Sequence, residues 1–130
     1  MKQAKGKFSI TFKPLECSLQ SGVNTLARLA FSKEFTGDMV GQSQGEMLSC
    51  RSPEPGSAGY VAIETMDVVL EGKRGSLVLQ HSSTLDQGAP RQSIQVVPNS
   101  GTGELAGISG QVEIQIVEGV HFYQFSYQLA

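Results

Sequence analysis

The segment Tyr60–Leu85, YVAIETMDVVLEGKRGSLVLQHSSTL, contains two alternating apolar runs on either side of the tetrapeptide GKRG. Runs rich in Val, Ile and Leu that are separated by glycines are typical of two antiparallel strands joined by a tight turn. Pairing Gly72 with Gly75 sets the register of the whole hairpin, because strand side chains alternate between two faces. The segment therefore predicts a β-hairpin, and its register assigns each residue to one of the two faces.

His81, one of only two histidines in the chain, ends the apolar run of the second strand. In the predicted register Met66 lies opposite His81, and Glu64, opposite Ser83, becomes its diagonal neighbour. Diagonal neighbours on one face are roughly 7–8 Å apart, so long side chains can meet there. We therefore expect a Glu64–His81 contact. The same apolar face carries Tyr60, Val68, Leu70, Leu77 and Leu79.

The opposite face of this hairpin is not purely polar. It carries Val61, Ile63, Thr65, Asp67, Val78 and Gln80. Apolar side chains grouped on an outer face are typical of an interface. We therefore expect a homo-oligomer, either a dimer or a trimer.

Six further segments show strand-like patterns. They are KFSITFKPLE, LARLAFSKEF, MVGQSQGEMLSC, RQSIQVV, QVEIQIV and VHFYQFSYQL. Turn residues separate them at regular intervals, and only the stretch at Gly103–Gly107 suggests a helical turn. Short connections favour a meander, and a meander of about eight strands can close on itself. The sequence predicts an all-β fold: one domain over residues 1–130, formed by a single antiparallel eight-stranded β-barrel that is filled by side chains or holds one small ligand.

Two further turns extend the assignment of faces. The turn at Glu118–Gly119 places Ile116 opposite His121, Ile114 opposite Tyr123 and Val112 opposite Phe125. A two-residue turn at Gly37–Asp38 places Leu29 and Phe31 opposite Glu46 and Gln44. The predicted inner surface is thus mostly apolar, with Glu46, Tyr60, Glu64, His81, His121 and Tyr123 as its polar groups. Such a surface is typical of a small-molecule site.

The Glu64–His81 pair allows three interpretations. In a filled core it is a structural hydrogen-bonded pair. In a cavity it anchors the polar end of a ligand, or it moves a proton as an acid–base couple. Burial opposes the charged forms of both groups, whereas each charge favours the other. Glu64 and His81 are therefore the catalytic candidates if the protein is an enzyme, and the sequence does not decide whether it is one.

Other polar residues have simpler alternatives. Glu46 is exposed to solvent if it has no partner, because an unpaired buried carboxylate is costly. Tyr60 and Tyr123 fit the edge of a core, with their hydroxyl groups in water. His121 follows a turn, where surface residues are common. No short histidine spacing supports a zinc site, so we expect no metal and no cofactor.

The segment GTGELAG at Gly101–Gly107 superficially matches a dinucleotide-binding fingerprint. That fingerprint requires a following helix, whereas the next segment alternates like a strand. The segment fits better as a loop whose conformation depends on its glycines and which closes one end of the barrel. Ser100 or Thr102 would cap its helical turn, and Glu104 would lie in the first turn, where a carboxylate favours the dipole.

Composition excludes several classes of function. The 130 residues carry a net charge of −2, and no basic patch is available to follow phosphates. No apolar run approaches the ~20 residues that span a bilayer, and the N-terminus lacks a signal-peptide core. Cys17 and Cys50 are too few for a disulfide framework and fit a reducing compartment. We expect cytoplasmic residence without nucleic-acid or membrane partners.

Four stretches resemble the motifs of a bacterial family of uncharacterised proteins. They are EFTGDMVGQS, GYVAIETMDVVLEGKRGSLVLQH, VVPNSGTGELAGISG and HFYQFSYQL. The family motifs are F-x-G-D-L-x-G-x-S, Y-x-G-x-E, G-S-F-V-L-Q-H, S-G-T-G-E-L-A-G and H-x-Y-x-L-x-Y, and the resemblance spans nearly the whole chain. The chain departs from them at Met39, Ala62 and Leu77, where the family has Leu, Gly and Phe.

This family is similar in structure to the allene oxide cyclase barrels, which implies an eight-stranded antiparallel barrel with an apolar cavity. The matching motifs imply that the candidate functional positions are Tyr60, Glu64, Gln80, His81 and Glu104. Relatives with that barrel bind hydrophobic or phenolic molecules, and some guide a cyclisation by shape, which is an analogy of fold alone.

These observations favour a barrel that binds an apolar or amphipathic small molecule. The ligand-binding candidates are Glu46, Tyr60, Glu64, Gln80, His81, Glu104 and Tyr123. One alternative is an isomerase or cyclase that uses Glu64 and His81 as a proton-handling pair. The other is a non-catalytic structural or oligomerising protein.

Overall fold

The computed structural model describes residues 1–130, which form a β-sheet structure with one short 3₁₀ turn. The strands are β1 (Lys2–Leu15), β2 (Thr25–Gly37), β3 (Met39–Arg51), β4 (Ala58–Leu70), β5 (Lys73–Asp86), β6 (Ala89–Val96), β7 (Ser109–Val117) and β8 (Val120–Gln128), and the 3₁₀ turn Gly103–Leu105 precedes β7. The predicted all-β fold, with a helical turn inside Gly103–Gly107, is confirmed.

The eight strands form a closed antiparallel meander. Each strand pairs with the next one, and β8 returns to pair with β1. The least extensive pairing joins β6 and β7, where Gln95 opposite Gln111 is the one register pair. Closure pairs both edges of the other strands, which protects them from pairing with another chain. The predicted meander barrel is confirmed.

Three hairpins turn on a dipeptide that ends in glycine, namely Glu71–Gly72, Gln87–Gly88 and Glu118–Gly119. Both residues of each dipeptide have positive φ, for example 47° at Glu71 and 87° at Gly72. Positive φ at both positions is the property of type I′ turns, whose twist matches that of the flanking strands. The register predicted for the hairpin at Glu118–Gly119 is confirmed.

The hairpin of β4 and β5 turns two residues earlier than predicted. His81 lies opposite Ala62 rather than Met66. The prediction is wrong because Glu71–Gly72, and not GKRG, supplies the dipeptide that two-residue hairpins prefer. The error is an even number of residues, so every side chain keeps its predicted face. Glu64 is still a diagonal neighbour of His81.

The register predicted for β2 and β3 is off by one residue, which reverses the two faces of β3. Glu46 lies opposite Ala30 rather than Leu29. The predicted register would bury Glu46 and Gln44, whereas the observed register exposes both and buries Met39. Burying a carboxylate and an amide without partners costs free energy, which favours the observed register.

One half of the barrel, which contains the β2–β3 and β4–β5 turns, is filled by apolar side chains. We refer to it as the packed half. Its core includes Met39, Leu70, Leu77, Phe125 and Tyr127, each at most 1% exposed. Because these side chains fill the lumen, the packed half has no space left for a small-molecule ligand.

Two buried tyrosines attach β8 to the turns at this end. The Tyr123 hydroxyl accepts a hydrogen bond from the Met39 N–H and donates one to the Thr36 carbonyl, both at 2.9 Å. The Tyr127 hydroxyl donates to the Glu71 carboxylate. Burial and the neighbouring Glu71 carboxylate raise the pKa of Tyr127 to about 12. Both hydroxyl groups therefore stabilise the barrel by linking β8 to these turns.

The glycine-rich segment between β6 and β7 closes the packed half, as predicted. Leu105 inserts into the core and is fully buried. The predicted cap is wrong, because the Thr102 side chain makes no capping hydrogen bond. Instead, side-chain oxygens of Ser100, Thr102 and Glu104 each accept a backbone N–H of β5 at 3.1–3.2 Å. The segment is thus attached to β5 by its own polar side chains.

Candidate functional site

Four polar side chains meet in the middle of the barrel, and we call them the Glu64 cluster: Lys33, Ser43, Glu64 and His81. Each is at most 5% exposed. Glu64 Oε1 contacts Lys33 Nζ at 3.0 Å and His81 Nε2 at 2.8 Å. Glu64 Oε2 accepts a hydrogen bond from Ser43 Oγ at 2.5 Å. Four consecutive strands, β2 to β5, are therefore joined through one carboxylate.

The Glu64 carboxylate is ionised at neutral pH. Burial is the largest single influence and by itself would raise the pKa of Glu64. The hydrogen bond from His81, the charge of Lys33 and the hydrogen bond from Ser43 together outweigh it, so that this pKa lies below its ordinary value of 4.5. Because an ionised carboxylate only accepts hydrogen bonds, His81 donates through Nε2. Its other ring nitrogen, Nδ1, makes no hydrogen bond within the protein.

Aromatic rings surround the Lys33 ammonium group. Its Nζ lies 4.7 Å from the ring centroid of Phe8, 5.3 Å from that of Phe31 and 5.9 Å from that of Phe35. The negative face of an aromatic ring attracts a cation, most strongly where water is excluded. These rings offset part of the cost of burying the ammonium group, and Glu64 supplies its counter-charge.

The other half of the barrel is open, and we refer to it as the open half. Phe12 and Ile116 face its interior, yet they are 55% and 64% exposed. Their facing is set by the register, since Phe12 lies opposite buried Phe31 and Ile116 lies opposite His121. Half-buried inward side chains continue the lining: Ile10, Leu29, Met47, Tyr60, Ile114 and His121. The open half therefore presents inward-facing apolar side chains to solvent.

Phe31 separates the open half from the Glu64 cluster. Its ring centroid is 6.5 Å from that of Phe12 on the open side and 6.4 Å from that of His81 below. Gly45, which is opposite Phe31, makes room for the ring, since a Cβ at Gly45 would lie 2.2 Å from its Cζ atom. The Glu64 cluster thus forms the floor of the open half, with Phe31 as its upper layer.

The fold and the sequence now identify the family. The profile described as "Protein of unknown function (DUF3224)" matches residues 4–127. The chain belongs to the DUF3224 family. It is similar to a crystal structure of a protein with unknown function from the DUF3224 family of Shewanella oneidensis MR-1, with a TM-score of 0.97 and 43% identity over 100% of this chain and 98% of that one. A comparison with curated proteins gives no significant match.

The DUF3224 assignment confirms the resemblance to an uncharacterised bacterial family. It adds no activity to the chain, because the family and its solved member are both described as having unknown function. Any function of the chain therefore depends on what its own site can bind or do.

The structure brings some of the predicted site residues together and separates others. Glu64 and His81 are in direct contact, and Tyr60 is half-buried on the same inner face, toward the open half. Tyr123 is buried in the packed half. The remaining candidates, Glu46, Gln80 and Glu104, are exposed and do not reach the interior. The carboxylate of Glu46 instead contacts the guanidinium of its neighbour Arg28 at 2.6 Å.

Two members of the Glu64 cluster were missed by the sequence interpretation. Lys33 lies midway between Phe31 and Phe35, so the two-residue period of a strand places all three on the inner face. This signal was present in the sequence. Ser43 could be found only with the correct register of β3, which the predicted turn displaced by one residue.

Three further findings concern metal ligands, thiols and membrane-spanning helices. No group of three or more His, Cys, Asp or Glu side chains is placed to hold a metal ion. Cys17 and Cys50 are free and half-buried. The structure contains no helix that is both long and apolar enough to cross a bilayer.

Proposed function

We propose that this DUF3224 protein binds an apolar or amphipathic small molecule in the open half of its barrel. The observation that carries the proposal is the exposure of inward-facing Phe12 and Ile116, above a floor of buried charge. Apolar surface inside a concavity gains free energy when a ligand displaces the water over it. An eight-stranded barrel is wide enough for one such molecule.

The polar end of the ligand would lie at the Glu64 cluster. His81 Nδ1 has no partner within the protein, and neither does the hydroxyl group of Tyr60 in the open half. The Tyr60 hydroxyl can donate or accept a hydrogen bond, whereas Nδ1 of a neutral imidazole that donates through Nε2 accepts one. Glu64 would act indirectly by orienting His81, because its two oxygens already accept hydrogen bonds from three side chains.

The geometry favours binding over proton transfer through Glu64. A carboxylate with a lowered pKa that accepts hydrogen bonds from Lys33, Ser43 and His81 is a weak base. Removing a proton from a substrate would require Glu64 to give up one of these bonds. The cyclase-type alternative therefore has less support than a binding role.

A neutral dye tests the proposal with a matched pair of variants. N-phenyl-1-naphthylamine fluoresces in apolar surroundings. Because it is uncharged, its binding does not depend on attraction to the Lys33 ammonium group. Met47 faces the open half, whereas Leu48, its neighbour on β3, is exposed on the outer face. We expect the wild type to bind the dye, Met47→Arg to lose at least about tenfold in affinity through an unpaired charge in the site, and Leu48→Arg to bind like the wild type. No binding by the wild type, or equal loss in both variants, would contradict the proposal.

We also propose that the protein is a cytoplasmic homo-oligomer. Leu48, Val61 and Ile63 form an exposed apolar group on the outer face of β3 and β4, at 41%, 52% and 52% exposure. Covering such a group is a common reason for association. The two free thiols fit a reducing compartment. Native mass measurement of the wild type and Leu48→Arg tests the assembly, since the variant should be monomeric.

A further inference from the structure

Lys33 has hydrogen-bonding capacity that the protein does not use. An ammonium group has three N–H donors. In this structure one of them meets Glu64 Oε1, and no other hydrogen-bond acceptor contacts Nζ. The remaining donors lie among the rings of Phe8, Phe31 and Phe35. A buried group that keeps unpaired donors requires an explanation, because such groups are costly and uncommon.

Two neighbouring polar atoms also lack a partner: Ser83 Oγ, which can donate or accept, and His81 Nδ1, which accepts in a neutral ring that donates through Nε2. Ser83 Oγ is buried and makes no hydrogen bond. Ser83 is two residues from His81 on β5, so it shares the inner face, and it lies on the side of the open half. His81 Nδ1 is free as well. By contrast, both oxygens of Glu64 already accept hydrogen bonds. The donors that clearly remain unpaired are therefore those of Lys33 and the hydroxyl group of Ser83.

From the unpaired donors of Lys33 we infer that the ligand carries an anionic oxygen headgroup of the carboxylate class, which contacts Lys33 and lies beside the free nitrogen of His81. The inference rests on the proposed function, and it adds the chemical class of the ligand. A carboxylate supplies two acceptor oxygens and forms stronger hydrogen bonds with charged donors than a neutral oxygen does.

The charges of the cluster are compatible with this headgroup. Lys33 balances Glu64, and the proton that the incoming acid gives up passes to the free Nδ1 of His81, so that two positive and two negative groups result. These four are the charged groups that meet at the cluster, since its other neighbours are Ser43, Ser83 and phenylalanine rings. To reach Lys33 the headgroup has to displace the ring of Phe31, and the apolar remainder of the ligand then extends into the open half.

The experiment compares decanoate with 1-decanol, which has the same carbon chain and a neutral head. Each is titrated against the bound neutral dye in the wild type, in Lys33→Met and in the control Lys13→Met. Lys13 is exposed on β1, so the control removes the same charge outside the site. We expect the affinity for decanoate relative to decanol to fall about tenfold in Lys33→Met and to stay unchanged in Lys13→Met.

The outcomes separate the inference from the proposed function. If dye and decanol bind but the ratio of affinities is the same in Lys33→Met, the inference is overturned and the binding function stands. If neither the dye nor any of the added molecules binds to the wild type, both are overturned.

A measurement on the wild type covers the case in which Lys33→Met does not fold. Decanoate labelled with ¹³C at its carboxyl carbon reports its own ionisation by NMR. Bound beside Lys33, the label should stay ionised to lower pH than free decanoate does. A label that titrates at the same pH when bound and free would contradict the inference. The double variant Lys33→Met/Glu64→Gln, which removes both charges together, should also lose the preference for decanoate.

Discussion

The packed and open halves of this barrel are formed by the same eight strands, but they bury their inward side chains very differently. In the packed half Leu70, Leu77 and Phe125 are at most 1% exposed. In the open half Phe12 and Ile116 are more than half exposed, although they also face inward. The comparison indicates that folding free energy is concentrated in the packed half, which leaves the lining of the open half free to serve binding.

The Glu64 cluster lies at the border between the two halves. It stabilises the fold through hydrogen bonds between four strands, and Phe31 lies between it and the open half. Substitutions on either side of this border should therefore separate effects on stability from effects on binding.

The largest effect should come from Glu64→Gln. Removing one charge of a buried pair leaves the other uncompensated, which typically costs about 3–5 kcal/mol. Denaturant unfolding should show a loss of this size, because the Lys33 ammonium remains buried. The double variant Lys33→Met/Glu64→Gln should regain part of it. A loss below about 1 kcal/mol in Glu64→Gln would show that the cluster does not stabilise the fold as described.

Acid should remove part of the same contribution. The pKa of Glu64 is lowered in the folded protein from its ordinary value of 4.5, so its stabilisation is complete above that value. It is lost as the pH falls below 4.5 through the lower folded pKa. The difference in unfolding free energy between the wild type and Glu64→Gln should therefore shrink on acidification. A constant difference from neutral to acid pH would contradict the assignment of Glu64.

Truncation in the packed half should come next. Leu77→Ala removes a side chain that is 1% exposed, and changes of this kind cost about 2–5 kcal/mol, depending on the cavity that remains. Because Leu77 is far from the open half, the affinity for the neutral dye should be unchanged in the folded variant. Unfolding curves and dye titration on the same sample test both statements. A folded variant with weakened dye binding would break the proposed separation of the two halves.

Tyr123→Phe should have a smaller effect. It leaves the ring in place and removes the hydroxyl that accepts the Met39 N–H. A buried N–H without a partner costs about 1–3 kcal/mol. Thermal and denaturant unfolding should show this loss without a change in dye affinity. Unchanged stability would mean that the Tyr123 hydroxyl does not contribute to attaching β8.

The smallest effect on stability should come from Ile116→Ala. The side chain is 64% exposed, and substitutions at exposed positions usually change stability by about 0.5 kcal/mol or less. Its truncation should nevertheless weaken dye binding, because it removes apolar lining from the open half. A stability loss as large as that of Leu77→Ala would show that the open half is packed in solution.

Much of the fold could be predicted from the sequence, because two-residue alternation and glycine-containing turns are local signals. The hairpin at Glu118–Gly119 was predicted in its correct register for this reason. Two other turns were misplaced, with different consequences. The even error at Glu71–Gly72 preserved the faces of β4 and β5, whereas the odd error at Gly37–Asp38 reversed those of β3.

The candidate site was predicted only in part. The contact between Glu64 and His81 followed from their shared face and survived the shift in register. Lys33 could have been found from the same alternation, since it shares the period of Phe31 and Phe35. The distinction between the packed and open halves could not be predicted, because it depends on how far each strand extends beyond its neighbours and on the insertion of Leu105 into one end.

The central claim is that the open half holds a small molecule, and native mass spectrometry of freshly purified protein tests it most directly. The account predicts a mass above that of the chains alone, which is lost on denaturation and is absent from Met47→Arg. Analysis of the released compound would show whether it carries a carboxylate, and the same spectrum gives the oligomeric state. A mass equal to that of the chains alone, in protein taken gently from its native host and unable to bind the neutral dye, would contradict the claim.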